Sequence, residues 1–203
     1  MSRGLFVVFE GGDASGKSTQ ARRIAEKFDA QFTFEPGDTS LGFDLRRWVL
    51  DAETPMTAAT EALLMLADRS HHVRTVIEPT LASERSVVCD RFFASTLAYQ
   101  GYGRGVNLDQ LRAATDLAIG PCLPDLTVLI DLPLEIANER RAFDAKDRFE
   151  SADLAFHQRV REGYLSLAEQ YGDSWIVVDG SNDEEAVAAQ IDQRLAALPW
   201  ANA

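Results

Sequence analysis

One eight-residue stretch, residues 11–18, constrains the fold of this chain more than any other feature. It reads GGDASGKS and therefore fits the pattern G-x-x-x-x-G-K-[ST]. An apolar run at 5–9 precedes it, and apolar residues at helical spacing follow it from 19 to 28. A strand, a glycine-rich loop and a helix in this order are the context of a phosphate-binding loop. The alternative, a chance match on a glycine-rich turn, does not require this context.

This loop predicts binding of a nucleoside triphosphate. Glycines at its first and sixth positions permit backbone conformations and close approaches that a side chain would block. Successive backbone N–H groups and the N-terminus of the following helix then favour an anion. We expect Lys17 to reach the β- and γ-phosphates of ATP, and the Ser18 hydroxyl to bind Mg²⁺. The predicted ATP-binding residues are Gly11, Gly12, Asp13, Ala14, Ser15, Gly16, Lys17 and Ser18.

The rest of the chain alternates between strand and helix patterns, which predicts an α/β fold. We expect one domain over residues 1–203, with a five-stranded parallel sheet covered by helices on both faces. Ligands then lie beyond the carboxyl ends of the strands. The predicted strands are 5–9, 31–34, 86–89, 126–130 and 175–178, and the later predicted helices are 41–50, 57–78, 108–119, one from 134, 152–171 and one near the C-terminus.

The helix predicted over 57–78 is the longest. Leu63, Leu66, Val73 and Ile77 form one apolar stripe along it, and Pro79 is expected to kink or end it. Residues 200–203 are expected to be a frayed tail.

Charge and composition exclude several classes of protein. The net charge of −12 makes the chain a poor candidate for binding nucleic acid. The sequence has no apolar run near twenty residues and no visible secretory signal, so we expect neither a membrane span nor export. Cys89 and Cys122 lack the spacing of metal ligands, which favours a cytoplasmic setting. The three histidines form no metal-ligand pattern and receive no role.

Two acidic residues are candidates for a role in binding or catalysis. Asp90 and Arg91 follow an apolar strand, where a carboxylate suits Mg²⁺ and an arginine suits a phosphate. A structural ion pair at a strand end is the alternative reading. Asp13 lies inside the anion-binding loop, where its negative charge is costly without a nearby cation. That cost favours a functional role for Asp13.

The residues from 90 to 101, DRFFASTLAYQG, resemble the D-R-(Y/F)-x-x-S-x-x-A-Y-Q-G signature of thymidylate kinases. Shorter stretches at 9–11, 124–127 and 147–150 also resemble that family. The resemblance implies a P-loop nucleotide kinase fold with a short lid, and transfer of a phosphoryl group from ATP to thymidine monophosphate. It also implies a homodimer, with the long helix as a candidate interface.

The resemblance places the acceptor nucleotide against several residues. It puts Arg69 near the pyrimidine or phosphate, and an aromatic ring at position 65, where this chain has Met65. Methionine can pack on a flat base, although simple core filling is the alternative. The resemblance also places Asp13 and Arg91 near the acceptor phosphate. The implied acceptor-binding residues are Glu35, Pro36, Met65, Arg69, Arg91, Ser95, Tyr99 and Gln100.

A lid is expected at about residues 140–151, where Arg140, Arg141, Lys146 and Arg148 concentrate positive charge. A solvated helix face is the alternative. Phosphoryl transfer needs a cation near the migrating group, and the phosphate loop contains no arginine. We therefore expect a lid cation to act in catalysis together with Asp13, Lys17 and Arg91. Arg141 is the first candidate for this cation and Arg148 is the second.

The chain departs from the family pattern at three further positions. Phe34 and Phe143 stand where arginines are usual, and Asp38 replaces a glycine. Two alternative functions therefore stay open. One is a kinase for another nucleoside monophosphate or a deoxynucleoside, and the other is a nucleotide-binding regulator that has lost phosphoryl transfer.

Overall fold

The computed structural model describes residues 3–141 and 147–200. Five parallel strands form its sheet in the order β2-β3-β1-β4-β5, so the predicted fold class is confirmed. Each strand lies within about two residues of its predicted position. The strands are β1 (Phe6–Glu10), β2 (Gln31–Phe34), β3 (Val87–Asp90), β4 (Leu126–Asp131) and β5 (Trp175–Asp179).

Helices connect the strands and cover both faces of the sheet. They are α1 (Lys17–Lys27), α2 (Ser40–Leu50), α3 (Ala58–His72), α4 (Glu78–Ala82), α5 (Phe93–Thr96), α6 (Leu108–Ile119), α7 (Leu134–Arg141), α8 (Leu154–Tyr171) and α9 (Glu184–Leu195). Side-chain caps explain where several of them begin. Thr39, Thr57 and Asn107, for example, each accept a hydrogen bond from a backbone N–H in the first turn.

The central strand β1 packs on both sides because its side chains alternate. Phe6 and Val8 belong to the core cluster that contains α3, α6 and α8. Val7 and Phe9 face the opposite cluster, which contains α1 and α9. This two-sided burial explains the continuous apolar run in the sequence.

The order of the strands reverses around β1, and this places the phosphate loop at the middle of the sheet edge. Phe9 pairs with Asp90 of β3 on one side and with Val128 of β4 on the other. The loop that follows β1 therefore meets the turn that follows β3. This crevice is where ligands bind in open parallel sheets.

The prediction of one long helix over 57–78 is wrong in its detail. The helix α3 ends at His72, a π-helical turn (Val73–Ile77) follows, and α4 continues past Pro79 to Ala82. Proline fits there because it occupies the first turn of α4, where its missing N–H is not needed. Leu63 is 63% exposed while Leu66, Val73 and Ile77 are buried, so Leu63 does not belong to the buried stripe.

The C-terminal tail is also more ordered than expected at Trp200. Its ring stacks on Phe28 with centroids 4.1 Å apart, and its Nε1 donates to the Leu195 carbonyl at 2.9 Å. Trp200 is therefore part of the core beside α1 and α9. Residues 201–203 lie outside the described residues.

No helix between residues 3 and 141 or between 147 and 200 has the length and hydropathy needed to span a lipid bilayer.

Candidate active site

The phosphate loop has the conformation that its glycines predict. Gly11 has φ 144°, and a Cβ atom at this position would lie 2.5 Å from the Ile130 carbonyl oxygen. Gly16 has φ 86° and directly precedes the first turn of α1. Both positions therefore require glycine, and the backbone N–H groups of the loop stay open to an anion.

Lys17 is buried beneath this loop. Its Nζ donates to the Gly12 carbonyl at 3.2 Å and lies 4.0 Å from Asp13 Oδ1. Burial lowers the pKa of Lys17, and the positive charge of Arg91 lowers it further. A polyphosphate would oppose both effects because it supplies negative charge to the ammonium group.

Ser18 and Asp90, the two predicted metal ligands, are in direct contact. The Ser18 hydroxyl donates to Asp90 Oδ2. The other carboxylate oxygen, Oδ1, is buried and has no hydrogen-bond partner among the residues described. Hydroxyl and carboxylate oxygens are the ligands that Mg²⁺ prefers, and a buried carboxylate oxygen without a partner is costly. These two residues therefore fit a magnesium ion.

Asp13 and Arg91 form an ion pair between the loop and the turn after β3. Arg91 Nη2 donates to Asp13 Oδ1 at 2.5 Å, and the Tyr99 hydroxyl donates to Asp13 Oδ2 at 3.0 Å. The Arg91 guanidinium also lies 5.1 Å from the centre of the Tyr99 ring. Arg91 itself has φ 70°, an unusual conformation for a residue with a side chain. Such conformations concentrate at functional sites.

Glu10 binds the turn that follows β3 through hydrogen bonds, although the sequence did not single it out as a site residue. Its carboxylate accepts from the backbone N–H groups of Phe92 at 2.9 Å and Ser95 at 3.1 Å. The hydroxyls of Ser95 and Tyr164 donate to its Oε2 at 2.7 and 3.0 Å. Burial raises the pKa of Glu10, and the Ser95 hydrogen bond opposes that rise. A charged residue ending an otherwise apolar strand was the available signal.

A cavity of about 550 Å³ opens beside the phosphate loop. It brings together predicted catalytic, metal and acceptor residues from the loop, from the segments that follow β2 and β3, and from α3. The predicted residues that line it are Asp13, Lys17, Ser18, Glu35, Pro36, Met65, Arg69, Asp90, Arg91, Ser95, Tyr99 and Gln100.

Arg69 is 2% exposed and is fixed by three hydrogen bonds. It donates to Glu35 Oε2 at 2.7 Å, to the Thr96 hydroxyl at 2.8 Å and to the Phe92 carbonyl at 2.9 Å. His72, to which the sequence assigned no role, contacts the other oxygen of Glu35 at 2.8 Å. The wall of the cavity is thus a buried polar network that joins α3, the segment after β2 and the α5 region.

Comparison with known proteins agrees with this geometry. A family model described as thymidylate kinase matches residues 9–191. A thymidylate kinase from Desulfovibrio desulfuricans is 43% identical over 200 aligned positions, which cover 92% of each chain. One from Geotalea uraniireducens is 40% identical and covers 95% of this chain and 99% of its own. The crystal structure of thymidylate kinase from Ehrlichia chaffeensis has a TM-score of 0.80 and 31% identity, covering 95% of this chain and 98% of that one.

The chain belongs to the thymidylate kinase family. This membership confirms the resemblance read from the sequence, and with it the prediction of a thymidylate kinase, an ATP-dependent nucleoside monophosphate kinase.

The departures from the thymidylate kinase pattern have structural counterparts. The Arg46 guanidinium lies 5.8 Å from the centre of the Phe34 ring and donates to the Pro36 carbonyl at 2.7 Å. Arg46 therefore brings a cation to the cavity wall where Phe34 cannot, and α2 supplies it. The Asp38 carboxylate accepts a hydrogen bond from the Thr33 hydroxyl at 2.5 Å. Met65 is partly buried and packs against the core while it lines the cavity.

The two lid arginines whose side chains are described, Arg140 and Arg148, bind different parts of the protein. Arg140 reaches from α7 to the phosphate loop, where it donates to the Ala14 carbonyl at 3.4 Å and to the Gly180 carbonyl at 3.1 Å. Arg148 instead donates to the carbonyls of Val49 at 3.1 Å, Asp51 at 2.6 Å and Thr54.

The expectation that Arg148 is the second lid cation stays a prediction, although these contacts hold its guanidinium elsewhere. Its guanidinium is bound to the carbonyls at the end of α2 and just beyond it, so it does not line the cavity in this structure. The side chain of Arg141, together with Phe143 and Lys146, lies outside the described residues. Arg140, which the sequence placed only in the basic segment, contacts the phosphate loop, in contrast to Arg148.

Proposed function

We propose that this chain transfers the γ-phosphoryl group of ATP to the phosphate of thymidine monophosphate and releases thymidine diphosphate. The observation that carries the proposal is the Asp13–Arg91 pair, which joins the phosphate loop to the acceptor cavity. A donor bound to the loop and an acceptor bound in the cavity would meet at this pair. Catalysis then requires positioning and charge neutralisation, with no covalent intermediate on the protein.

The donor half of the reaction belongs to residues 11–18. Backbone N–H groups and Lys17 would bind the β- and γ-phosphates of ATP. Ser18 and Asp90 would hold Mg²⁺, which neutralises charge on the phosphate oxygens when it is bound. We further propose that Arg141 is the lid cation of the transition state, and that Arg140 supports the phosphate loop within a lid of about residues 140–151.

The acceptor half belongs to the cavity wall. Arg91 would bind the acceptor phosphate through its planar guanidinium, and Asp13 would hold Arg91 in place and face the incoming phosphate. Glu35, Pro36, Met65, Arg69, Ser95, Tyr99 and Gln100 would surround the nucleoside. The buried network around Arg69 supports selection of one base because it leaves the wall little freedom to adapt.

We also propose a homodimer in a cytoplasmic setting, with no nucleic acid and no membrane among its partners. Large apolar side chains on α2, α3 and α6 support the dimer: Phe43, Trp48, Leu63 and Leu117 are each at least 60% exposed. Exposed apolar surface of this kind marks protein–protein contacts. Both cysteines are free thiols, which supports a reducing compartment. Sedimentation at two protein concentrations tests the dimer.

A panel of acceptors tests the reaction. ADP release is measured with Mg²⁺, ATP and each of thymidine, deoxyuridine, deoxycytidine, deoxyadenosine and deoxyguanosine monophosphates, and with thymidine itself. We expect the highest kcat/KM for thymidine monophosphate. A tenfold preference for another acceptor would favour a different kinase. Tight ATP binding with no transfer to any acceptor would favour the regulator.

A further inference from the structure

Gln100 lines the acceptor cavity, and a buried carboxylate outside the cavity lining holds its side-chain amide. Gln100 Nε2 donates to Glu61 Oε1 at 3.0 Å. Glu61 lies in the first turn of α3 and is 2% exposed, and Gln100 is 1% exposed. Arg104 donates to both oxygens of Glu61, from Nε and Nη2, each at 3.4 Å. Glu61 thus joins a cavity residue to a cation.

This arrangement fixes which end of the Gln100 amide faces the ligand. An ionised carboxylate accepts hydrogen bonds and donates none, and Glu61 accepts from Arg104 as well as from Gln100. The NH₂ group of Gln100 must therefore face Glu61. The carbonyl oxygen of Gln100 is then the end left for the cavity. The two ends of a glutamine amide have nearly the same size, so packing alone would not choose between them.

The polarity of this wall matches one kind of base edge. A thymine ring presents the N3–H donor between two carbonyl oxygens, whereas cytosine presents N3 as an acceptor next to an amino group. A carbonyl oxygen at Gln100 accepts an N3–H and repels an N3 lone pair. Arg69 donates to the Thr96 oxygen at 2.8 Å, which leaves the proton of that hydroxyl for another acceptor. Acceptor and donor groups therefore share one wall of the cavity.

We propose that Glu61 is a positioning residue that sets base selectivity by fixing the orientation of the Gln100 amide. This inference rests on the proposed function, because it assumes that a pyrimidine monophosphate occupies the cavity. Glu61 does not touch the base. It acts by requiring that the cavity present an acceptor to the ring nitrogen, so that an imide such as thymine is bound and cytosine is rejected.

The substitution Glu61→Gln tests the proposal with little change in volume. Arg104 would then donate to the single carbonyl oxygen of the new amide, whose NH₂ group would face Gln100. Gln100 would turn its oxygen toward that NH₂ group and present its own NH₂ group to the cavity. We expect the ratio of kcat/KM for deoxythymidine over deoxycytidine monophosphate to fall at least tenfold, through KM rather than kcat.

A matched control separates this effect from a general one. Glu78 pairs with Arg74 on the surface, and Glu78→Gln removes a similar charge without changing the cavity wall. We expect this control to keep the wild-type ratio. If Glu61→Gln lowers the melting temperature but leaves the ratio of the two acceptors within twofold of wild type, Glu61 is only structural and the proposal fails.

A second measurement needs no folded Glu61 variant. Thymidine monophosphate methylated at N3 has no imide proton, so the wild-type protein should bind it at least tenfold more weakly than thymidine monophosphate, by calorimetry. Gln100→Leu should remove most of that difference. Equal binding of both ligands by the wild type would overturn the role of Gln100 and Glu61, while turnover of thymidine monophosphate would still support the proposed function. Absence of turnover with every acceptor would instead refute the proposed function.

Discussion

Arg91 Nη2 lies 2.5 Å from Asp13 Oδ1, although 78 positions separate the two residues in the sequence. Two backbone features make this contact possible. Arg91 adopts φ 70°, and its N–H donates to the Phe9 carbonyl at 2.8 Å, which anchors the turn to β1. The phosphate loop after β1 and the turn after β3 are thereby joined through adjacent strands. The pair also supplies a cation and an anion at the place where the two substrates would meet.

The first prediction concerns the shape of the Arg91 side chain. Its guanidinium contacts Gly11, Asp13, Ser95, Tyr99 and Tyr164 at once. Lysine keeps the charge but cannot make these contacts together, since it is a single point donor. We expect Arg91→Lys to lower kcat/KM for thymidine monophosphate about 100-fold or more. The coupled ADP-release assay measures this.

The control for Arg91→Lys is Arg112→Lys on the surface of α6, where Arg112 contacts Asp109 and Gln170. This change should leave kcat/KM within about twofold, because surface ion pairs contribute little. An Arg91→Lys variant with wild-type kcat/KM would show that the guanidinium geometry is not used.

The second prediction separates the two described lid arginines. Arg148→Ala removes a guanidinium that binds three backbone carbonyls, so we expect the free energy of unfolding to fall by about 1–3 kcal/mol. Arg140 is exposed and contacts the phosphate loop, so Arg140→Ala should instead raise KM for ATP or lower kcat by about tenfold. Urea unfolding and ATP kinetics on both variants measure these effects. A loss of kcat in Arg148→Ala with unchanged stability would instead support a catalytic role for Arg148.

The residues of the candidate site could be proposed from local sequence patterns because the relevant constraints are local. The phosphate loop needs glycine at specific φ values, and the turn at Asp90 and Arg91 directly follows a buried strand. Each constraint is contained within a dozen residues, so it leaves a readable motif. The same holds for the five strands, whose apolar runs reflect burial on both faces.

Other structural features could not be predicted from the sequence because they depend on residues that are distant in the chain. Arg46 lies near the Phe34 ring only after α2 has packed against α3, and nothing in its own neighbourhood of the sequence indicates this role. Trp200 is buried where Phe28, the residue that follows α1, offers its ring as a stacking partner. The π turns at Val73–Ile77 and Leu97–Gly103 likewise arise from tertiary packing, which overrides the 3.6-residue period of the sequence.

The third prediction concerns two neighbouring glycines. A Cβ atom at Gly11 would meet the Ile130 carbonyl oxygen at 2.5 Å, and φ is 144°. At Gly12 a Cβ atom would meet no atom within 4 Å. We expect Gly11→Ala to lower the free energy of unfolding by about 2 kcal/mol or more, and Gly12→Ala by less than about 1 kcal/mol. Chemical denaturation measures both. Equal stability of the two variants would contradict the strained conformation assigned to Gly11.

The fourth prediction concerns pH and Asp68, which is 1% exposed. Burial, and then the negative charge of Glu35, raise the pKa of Asp68 from 3.8 to about 6. Because the folded-state pKa is the higher one, the ionised carboxylate destabilises the fold as pH rises from about 4 to about 6. Asp68→Asn removes this cost, so its advantage in free energy of unfolding should grow by about 2 kcal/mol between pH 4.5 and 7.5.

Denaturant unfolding of wild type and Asp68→Asn at several pH values measures this difference. Asp44→Asn is the control, since Asp44 lies on α2 with 68% of its side chain exposed. As a surface substitution, it should change the free energy of unfolding by less than about 0.5 kcal/mol. An Asp68→Asn advantage that is constant between pH 4.5 and 7.5 would show that Asp68 ionises normally in the folded protein.

The fifth prediction distinguishes two tryptophans, one in the core and one on the surface. Trp200 is 5% exposed, stacks on Phe28 and donates to the Leu195 carbonyl, so Trp200→Ala should lower the free energy of unfolding by about 3 kcal/mol at every protein concentration. Trp48 is 60% exposed on α2. If it contributes to a homodimer, Trp48→Ala should weaken association and make the melting temperature more dependent on concentration. Denaturation at two concentrations, together with sedimentation, measures both effects. A Trp48→Ala variant that sediments and melts like the wild type would place the dimer interface elsewhere.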